Sequence, residues 1–136
     1  MKSIVLFFSI MVFGFAVAQQ EPIQVVFDVT SANPDVHRTA AKHLRLMAEA
    51  YPDSQFEMVV YSGAIKLVDR KSSVAGETLS EMVKRDNVSV VVCEQTMKRH
   101  KMGMEDLIPG VKTVPDGIFE IVMLQKQGWG YIKEVN

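Results

Sequence analysis

Short apolar runs rich in β-branched residues alternate along the chain with amphipathic stretches that have helical spacing. The apolar runs predict strands over 23–29, 55–61, 88–93, 111–114 and 129–135. The stretches between them predict helices over 34–51, 76–85, 96–101 and 118–126. Residues 64–68 fit either a turn of helix or extended chain, and the pattern leaves that choice open.

The first predicted helix carries the clearest local signals. Ser31 or Asn33 can cap its N-terminus, and Pro34 suits its first turn. Its apolar positions recur at steps of three and four residues: Val36, Ala40, Leu44, Met47 and Tyr51. This spacing predicts an amphipathic helix with one buried face.

The alternation of strands and helices predicts the fold class. Each helix must carry the chain from the end of one strand to the start of the next, which produces a mostly parallel sheet with helices on both faces. The 136 residues contain no internal repeat and no linker. We therefore expect one α/β domain over 19–136.

The first 18 residues have the pattern of a cleavable secretory signal peptide. Lys2 precedes an apolar run over 4–17, and Ala16-Val17-Ala18 supplies the small residues before a cleavage point. The alternative is an uncleaved anchor helix, but the run is shorter than the ~20 residues that span a bilayer. We expect cleavage before Gln19 and a periplasmic or secreted protein, with no membrane contact afterwards.

The charge balance narrows the choice of partners. The chain has 15 basic and 16 acidic residues, a formal net charge of −1. A nucleic-acid partner would require a clear basic excess. We therefore expect no nucleic-acid partner.

Ligands of open α/β sheets bind beyond the carboxyl ends of the strands. Three predicted loops lie there, over 28–33, 62–64 and 93–97. Their candidate ligand-binding residues are Asp28, Asn33, Gly63 and Thr96. Asp28 has a second interpretation as the cap of the first helix.

Cys93 is the candidate for covalent chemistry, because this single cysteine stands where a strand passes into a helix. The positive end of a helix dipole favours the nucleophilic thiolate, and Lys98, Arg99 and His100 lie nearby in sequence. The adjacent Glu94 opposes that effect if its carboxylate faces the sulfur. The alternative is an inert thiol that completes a buried strand.

The chain has no motif for a metal or a nucleotide cofactor, and we expect neither. No histidine pair has metal-ligand spacing, and His37, His43 and His100 are predicted to lie on the surface. The methionines near Cys93 suggest one alternative, a soft-metal site formed by Cys93 with thioethers. Its candidate ligands are Met97, Met102 and Met104.

The predicted helix over 118–126 is apolar nearly all round. A helix of this kind is buried, either in the core of its own chain or against a partner chain. The pattern leaves both interpretations open.

An ordered set of motifs runs through the chain: Val25 to Val29, Val59-Val-Tyr-Ser-Gly-Ala-Ile65, Val88-Ser-Val-Val-Val-Cys-Glu-Gln-Thr-Met-Lys98, Leu107-Ile-Pro-Gly110, Val114-Pro-Asp-Gly-Ile118 and Leu124-Gln-Lys-Gln-Gly-Trp-Gly-Tyr-Ile132. In this order and spacing the chain resembles the DsrE/DsrF-like family over residues 23–133. It is most similar to the small stand-alone members of that family.

The resemblance implies a three-layer α/β/α sandwich with a mainly parallel five-stranded sheet, assembled as a homo-oligomer such as a trimer or hexamer. It also implies that Cys93 carries sulfur as a persulfide, received from and passed to a partner protein or a small sulfur species. The chain departs from the sulfur-relay members at Glu94 and Gln95, where those members have small apolar residues. Its predicted export is a second departure.

Three functions therefore stay open: a sulfur carrier that uses Cys93, a non-catalytic module that binds a small ligand, and an oligomeric interaction module with a structural cysteine. No general base is evident in the sequence beside Cys93, so carriage of sulfur is favoured over turnover as an enzyme.

Overall fold

The computed structural model of the protein describes residues 20–135. The predicted signal peptide over 1–18 lies outside the described residues. Five strands and four helices follow one another in the predicted order: β1 Gln24–Val29, α1 Pro34–Ala50, β2 Gln55–Val60, α2 Gly76–Met82, β3 Val88–Cys93, α3 Glu94–Arg99, β4 Lys112–Val114, α4 Gly117–Lys126 and β5 Gly130–Glu134. Two short 3-10 helices, Ser62–Leu67 and Met104–Asp106, complete the chain.

The strands form one parallel sheet in the order β4-β3-β2-β1-β5. Helices cover both faces, so the α/β/α prediction is confirmed, with a sheet that is parallel throughout the described strands. The ambiguous segment after β2 proves to be the 3-10 helix Ser62–Leu67. Helix α3 begins two residues earlier than its apolar pattern predicts, directly after Cys93.

The larger core lies between the sheet and the face that carries α1, α2 and α3. Side chains alternate along each strand, so Phe27 of β1 and Phe56 of β2 point to this face. Helix α1 presents Ala40 and Leu44 to them, and both are fully buried. Asn33 caps α1 by accepting a hydrogen bond from the Asp35 backbone N–H at 2.9 Å, as its position in the sequence predicts.

The opposite face of the sheet is smaller and is covered by α4. Ile121 and Leu124 of this helix pack on one valine from each of the three central strands: Val26, Val59 and Val91. The outer side of α4 leaves three large apolar residues exposed, by 61% for Ile118, 62% for Phe119 and 53% for Val122. Helix α4 is therefore half core and half uncovered apolar surface in the single chain.

The prediction that all three histidines lie on the surface is wrong for His37. Its side chain is 2% exposed, and its Nε2 lies 2.7 Å from the Ser31 carbonyl oxygen. The loop before α1 folds over the first turn of the helix and covers the ring. His43 is exposed and bonds to the buried carboxylate of Glu134 on β5 at 2.9 Å, and His100 is exposed.

Across residues 20–135, every helix is too short or too polar to cross a lipid bilayer.

Candidate functional site

Cys93 ends β3 and is at the same time the residue before the first turn of α3. Along β3 it alternates with buried neighbours so that its side chain points to the α4 face of the sheet, as Val91 does. The residue is 6% exposed. The thiol therefore lies just below the surface at the carboxyl edge of the sheet, the edge where ligands of parallel sheets bind.

The N-terminus of α4 meets the thiol at close range. Asp116 caps this helix by accepting hydrogen bonds from the backbone N–H groups of Ile118 and Phe119, at 2.9 and 3.0 Å. The next residue, Gly117, passes so close that an added Cβ would lie 3.3 Å from both the Cys93 Cβ and the Tyr61 Cβ. The absence of a side chain at this position lets the helix begin against the sulfur.

Opposing effects act on the ionisation of Cys93. Burial raises the pKa of the thiol, because an apolar environment disfavours the thiolate. The polar groups around the sulfur, which are the backbone N–H groups of Gly117, Thr96 and Gln95 and the Thr96 hydroxyl, lower the pKa. These groups prevail, so the pKa of Cys93 lies below its ordinary value. A larger thiolate fraction makes the sulfur a better nucleophile near neutral pH.

A cleft of about 430 Å³ opens above the sulfur, and we call it the thiol cleft. Its lining combines residues that follow β2, the end of β3, residues of α3 and the start of α4: Tyr61, Ser62, Cys93, Gln95, Thr96, Arg99, Asp116 and Ile118. Thr96 is buried, and its hydroxyl oxygen also accepts a hydrogen bond from the Ser62 N–H at 3.0 Å. Thr96 thus ties the loop after β2 to the thiol.

The other predicted site residues, which are Gly63, Asn33 and Asp28, do not line this cleft. Gly63 follows a lining residue, and an added Cβ there would lie 3.0 Å from the Thr30 carbonyl oxygen, so the glycine allows two loops to pack closely. Asn33 caps α1 and borders a separate groove with Asp35 and Val135. Cys93 and Thr96 are therefore the predicted residues that line the same cleft.

Asp28 belongs to a cluster that the sequence did not reveal. The hydroxyl of Tyr131 donates to the Asp28 carboxylate at 2.5 Å, and the Lys133 Nζ lies 3.1 Å from that carboxylate and 5.9 Å from the centre of the Tyr61 ring. The interpretation of Asp28 as the cap of α1 is wrong, because Asn33 caps that helix. We call Asp28, Tyr61, Tyr131 and Lys133 the tyrosine cluster. Tyr61 links it to the thiol cleft.

The tyrosine cluster shifts the ionisation of both phenols. Burial and the nearby Asp28 carboxylate raise the pKa of Tyr61 to about 12. For Tyr131, the hydrogen bond to Asp28 is the main cause that raises the pKa to about 12. Both phenols therefore stay protonated, as hydrogen-bond donors, at physiological pH.

A pair of carboxyl groups lies beneath α4. Glu57 of β2 is partly buried, and burial followed by the charge of Glu120 raises its pKa to about 7. A hydrogen bond to Glu120 raises this pKa further, whereas Ser89 and Lys112 lower it. The Glu57 Oε1 atom is buried without a hydrogen-bond donor. Sequence analysis had no signal for this pair, because its members come from different elements.

Within residues 20–135, no three His, Cys, Asp or Glu side chains gather where they could hold a metal ion. The soft-metal alternative is not assembled either. Met97, Met102 and Met104 line a second cleft, of about 360 Å³, which they share with Glu94 and not with Cys93. The Glu94 carboxylate turns away from the thiol and accepts a hydrogen bond from the Thr113 hydroxyl at 3.0 Å.

A larger depression, of about 580 Å³, lies at the opposite edge of the sheet. It is lined by the first residues of β1, β2 and β5, which are Gln24, Gln55 and Gly130. Its lining has no thiol. The thiol cleft is therefore the candidate site, because it combines a cavity with a nucleophilic side chain.

The fold and the site together define a class of protein. It is a small α/β/α protein with a parallel five-stranded sheet and a cysteine at the carboxyl end of β3, the strand next to the edge strand β4. Within that class, the chain belongs to the DsrE/DsrF-like family, whose model matches residues 24–133. The resemblance drawn from the motifs is thereby confirmed. A comparison with curated protein sequences finds no match.

The solved structures that are similar to this chain include three that each cover more than four fifths of it. The protein of unknown function MTH1491 from Methanobacterium thermoautotrophicum is 26% identical with a TM-score of 0.75, covering 82% of this chain and 98% of its own. The YchN protein from E. coli is 13% identical with a TM-score of 0.68, covering 84% and 99%.

The third, the conserved protein of unknown function BT1422 from Bacteroides thetaiotaomicron, is 15% identical with a TM-score of 0.66 and covers 81% of this chain and 93% of its own. YchN and BT1422 support the fold alone.

Proposed function

We propose that this protein is an exported sulfur carrier in which Cys93 accepts sulfane sulfur as a persulfide. The observation that carries the proposal is the position of Cys93, which lines the thiol cleft at the carboxyl edge of the sheet, where Gly117, Thr96 and Gln95 lower the pKa of the thiol. Membership of a family that is linked to sulfur metabolism supports the same chemistry.

The proposed reaction has two steps. The Cys93 thiolate attacks the sulfane sulfur of a donor, an S–S bond forms, and the donor's own S–S bond breaks as its leaving group departs with the electron pair. The outer sulfur then occupies the thiol cleft until an acceptor thiolate attacks it and Cys93 leaves as a thiolate. A lowered pKa assists both steps, because it raises the thiolate fraction and makes Cys93 a better leaving group.

The first test is the intact mass of the folded protein after exposure to polysulfide. We expect added mass in units of one sulfur atom, removable by a reducing thiol and absent from Cys93→Ser. The conservative variant Thr96→Ser keeps a hydroxyl donor and serves as the matched control that still accepts sulfur. A thiol that stays unmodified until the protein is denatured would overturn the proposal and favour a structural cysteine in a ligand-binding module.

A second candidate function, a homo-oligomeric interaction module, is favoured by the exposed apolar side of α4. Ile118, Phe119 and Val122 are each more than half exposed, and contiguous apolar surface of this kind marks an interaction site. Because Ile118 also lines the thiol cleft, a second copy on α4 would border the site. We propose a homo-oligomer, a trimer or hexamer, that complements the carrier role.

Analytical ultracentrifugation tests this assembly. We expect Phe119→Glu to shift the native protein to a smaller species, while Val74→Glu, at another exposed apolar residue, leaves the size unchanged. A wild-type protein that is monomeric at all concentrations would exclude the assembly.

Export is tested separately by fractionation and N-terminal sequencing, with Gln19 as the expected first residue of the periplasmic or secreted form.

A further inference from the structure

Two charged side chains line the thiol cleft, and only one of them has hydrogen-bond partners. The Asp116 carboxylate is engaged by two backbone N–H groups of α4. The Arg99 guanidinium has no hydrogen bond or ion pair within the described part of the chain, although it lines the same cleft as Cys93. This guanidinium is therefore the charge in the thiol cleft that is available to a ligand.

The position of Arg99 on α3 directs its side chain. Arg99 lies three residues after Thr96, so the two side chains share one side of the helix, and both line the thiol cleft. The neighbouring Lys98 lies on a different side of the helix. It lines the second cleft, the one of about 360 Å³ that contains Met97 and Met102. One turn of helix thus presents one cation to each cleft.

We propose that Arg99 selects the sulfur donor and that this donor is a small oxyanion with a sulfane sulfur, of the thiosulfate type. This inference rests on the proposed function of Cys93. A thiolate and an anionic donor repel each other, and a cation between them offsets that repulsion. The guanidinium also matches the geometry of an oxyanion, with paired N–H donors.

The reaction balances without a further reactant. The Cys93 thiolate attacks the outer sulfur of thiosulfate, the S–S bond of thiosulfate breaks, and sulfite leaves with the electron pair. Cys93 is left as a persulfide anion, and the total charge is the same before and after. Arg99 binds the sulfonate oxygens and does not exchange a proton, so it is a specificity-determining residue.

The size of the cleft favours a small donor over a persulfide on another protein. A volume of about 430 Å³ is within the range of small-molecule sites. Cys93 is 6% exposed, so a cysteine on the surface of a partner would have to reach below the surface to meet it. A small anion enters such a cleft without that rearrangement.

Charge selection can be measured without any sulfur donor. The thiol is modified by two methanethiosulfonate reagents that differ in charge, the anionic sulfonatoethyl and the cationic trimethylammonioethyl compound, and the ratio of their rate constants is recorded. We expect Arg99→Gln to lower the anionic-to-cationic ratio by about tenfold, a typical effect of one local charge on association. Lys98→Gln is the matched control and should leave the ratio unchanged.

The second measurement is persulfide formation from thiosulfate, followed by sulfite release. We expect saturable formation in the wild-type protein and in Lys98→Gln, and a loss of about tenfold in kcat/KM in Arg99→Gln. A neutral dialkyl trisulfide, which has a sulfane sulfur and no charge, serves as the reference donor for all three proteins.

The outcomes separate the two proposals. A rate ratio that Arg99→Gln leaves unchanged overturns the role of Arg99, whatever the trisulfide does. Wild-type protein that reacts with the trisulfide but not with thiosulfate overturns the oxyanion donor and retains the carrier. A wild-type thiol that gains sulfur from neither donor overturns the carrier function itself, even if Arg99→Gln lowers the rate ratio.

Discussion

The backbone of Gly117 meets the side chain of Cys93 across the gap between α4 and β3: an added Cβ at Gly117 would lie 3.3 Å from the Cys93 Cβ, and the Gly117 N–H lowers the pKa of the thiol. The contact makes the reactivity of the thiol depend on where α4 begins. It also joins the thiol to the helix whose outer side is the exposed apolar surface. Changes at α4 are therefore expected to affect the chemistry of a residue on the sheet.

Gly117→Ala should slow the reaction of Cys93 near neutral pH. The new Cβ would lie 3.3 Å from the Cys93 Cβ and the Tyr61 Cβ, so α4 must shift and the Gly117 N–H, which lowers the pKa of Cys93, moves away from the sulfur. We expect the midpoint of the pH profile of Cys93 alkylation to rise. Gly130→Ala is the control, because an added Cβ there meets its nearest atom at an ordinary 3.5 Å. An unchanged profile in Gly117→Ala would refute the importance of this contact.

Thr96→Val should raise the pKa of Cys93 and also lower stability. The substitution keeps the shape of the side chain but removes the hydroxyl that lowers the pKa of Cys93 and accepts a hydrogen bond from the Ser62 N–H at 3.0 Å. A buried N–H left without its acceptor costs about 1–3 kcal/mol. Alkylation against pH and urea unfolding measure the two effects. Thr96→Ser, which retains the hydroxyl, should change both much less, and equal effects in the two variants would contradict the argument.

Stability should fall as the pH rises towards neutrality because of Glu57. Its pKa is raised to about 7 in the folded protein from an ordinary value of 4.5, so between these values the folded state binds a proton that the unfolded state has released. The stabilisation is fully present below pH 4.5 and is lost as the pH approaches 7. Because the carboxyl is partly exposed, we expect a loss of about 1–2 kcal/mol, less than the full shift implies.

Urea unfolding of the wild-type protein and Glu57→Gln between pH 4.5 and 8.5 tests this linkage. The neutral amide removes the repulsion with Glu120, so the variant should lose less stability over this range and be the more stable protein above pH 7. Glu81→Gln, at an exposed carboxylate on α2, is the control and should follow the wild type. Parallel curves for the wild type and Glu57→Gln would mean that the carboxyl pair has no linked proton.

Asp28→Asn should lower the pKa of two tyrosines. The Asp28 carboxylate accepts from Tyr131 at 2.5 Å and helps to raise the pKa values of Tyr61 and Tyr131 to about 12. Without its charge both phenols should ionise at lower pH, which ultraviolet absorbance of the phenolates records. The variant also loses the ion pair with Lys133 and should be less stable by about 1–3 kcal/mol. Asp53→Asn, at an exposed aspartate after α1, should change neither property.

The secondary structure could be predicted well because its signals are local. The valines of β3 mark a buried strand without reference to the rest of the chain, and Asn33 with Pro34 marks the start of α1. The ends of elements were less accurate, as at α3, where the helix starts at Glu94 and not at Thr96. His37 was misassigned because its burial depends on a loop folding back over the helix.

The site was predictable only in part. The position of Cys93 after a strand and before a helix is readable from the sequence, and Thr96 follows from the same loop. The cleft also contains Tyr61 after β2, Arg99 at the end of α3 and Asp116 before α4. These residues meet only because the three elements pack together at one edge of the sheet. Neither the tyrosine cluster nor the carboxyl pair can be recognised in the sequence. Their members come from distant segments of the chain, so no regular spacing of residues indicates that they meet.

The sequence by itself determined the α/β class, the order of the elements and the strand end at which the cysteine stands, because hydrophobic period and helix capping act over a few residues. Tertiary structure decided what that cysteine can do. The strand order β4-β3-β2-β1-β5 brings Asp28 next to Tyr131, 103 residues away, and the packing of α4 brings Gly117 to the sulfur. Such contacts depend on which elements become neighbours, and the free energy that selects the neighbours is the burial of whole faces rather than any local preference.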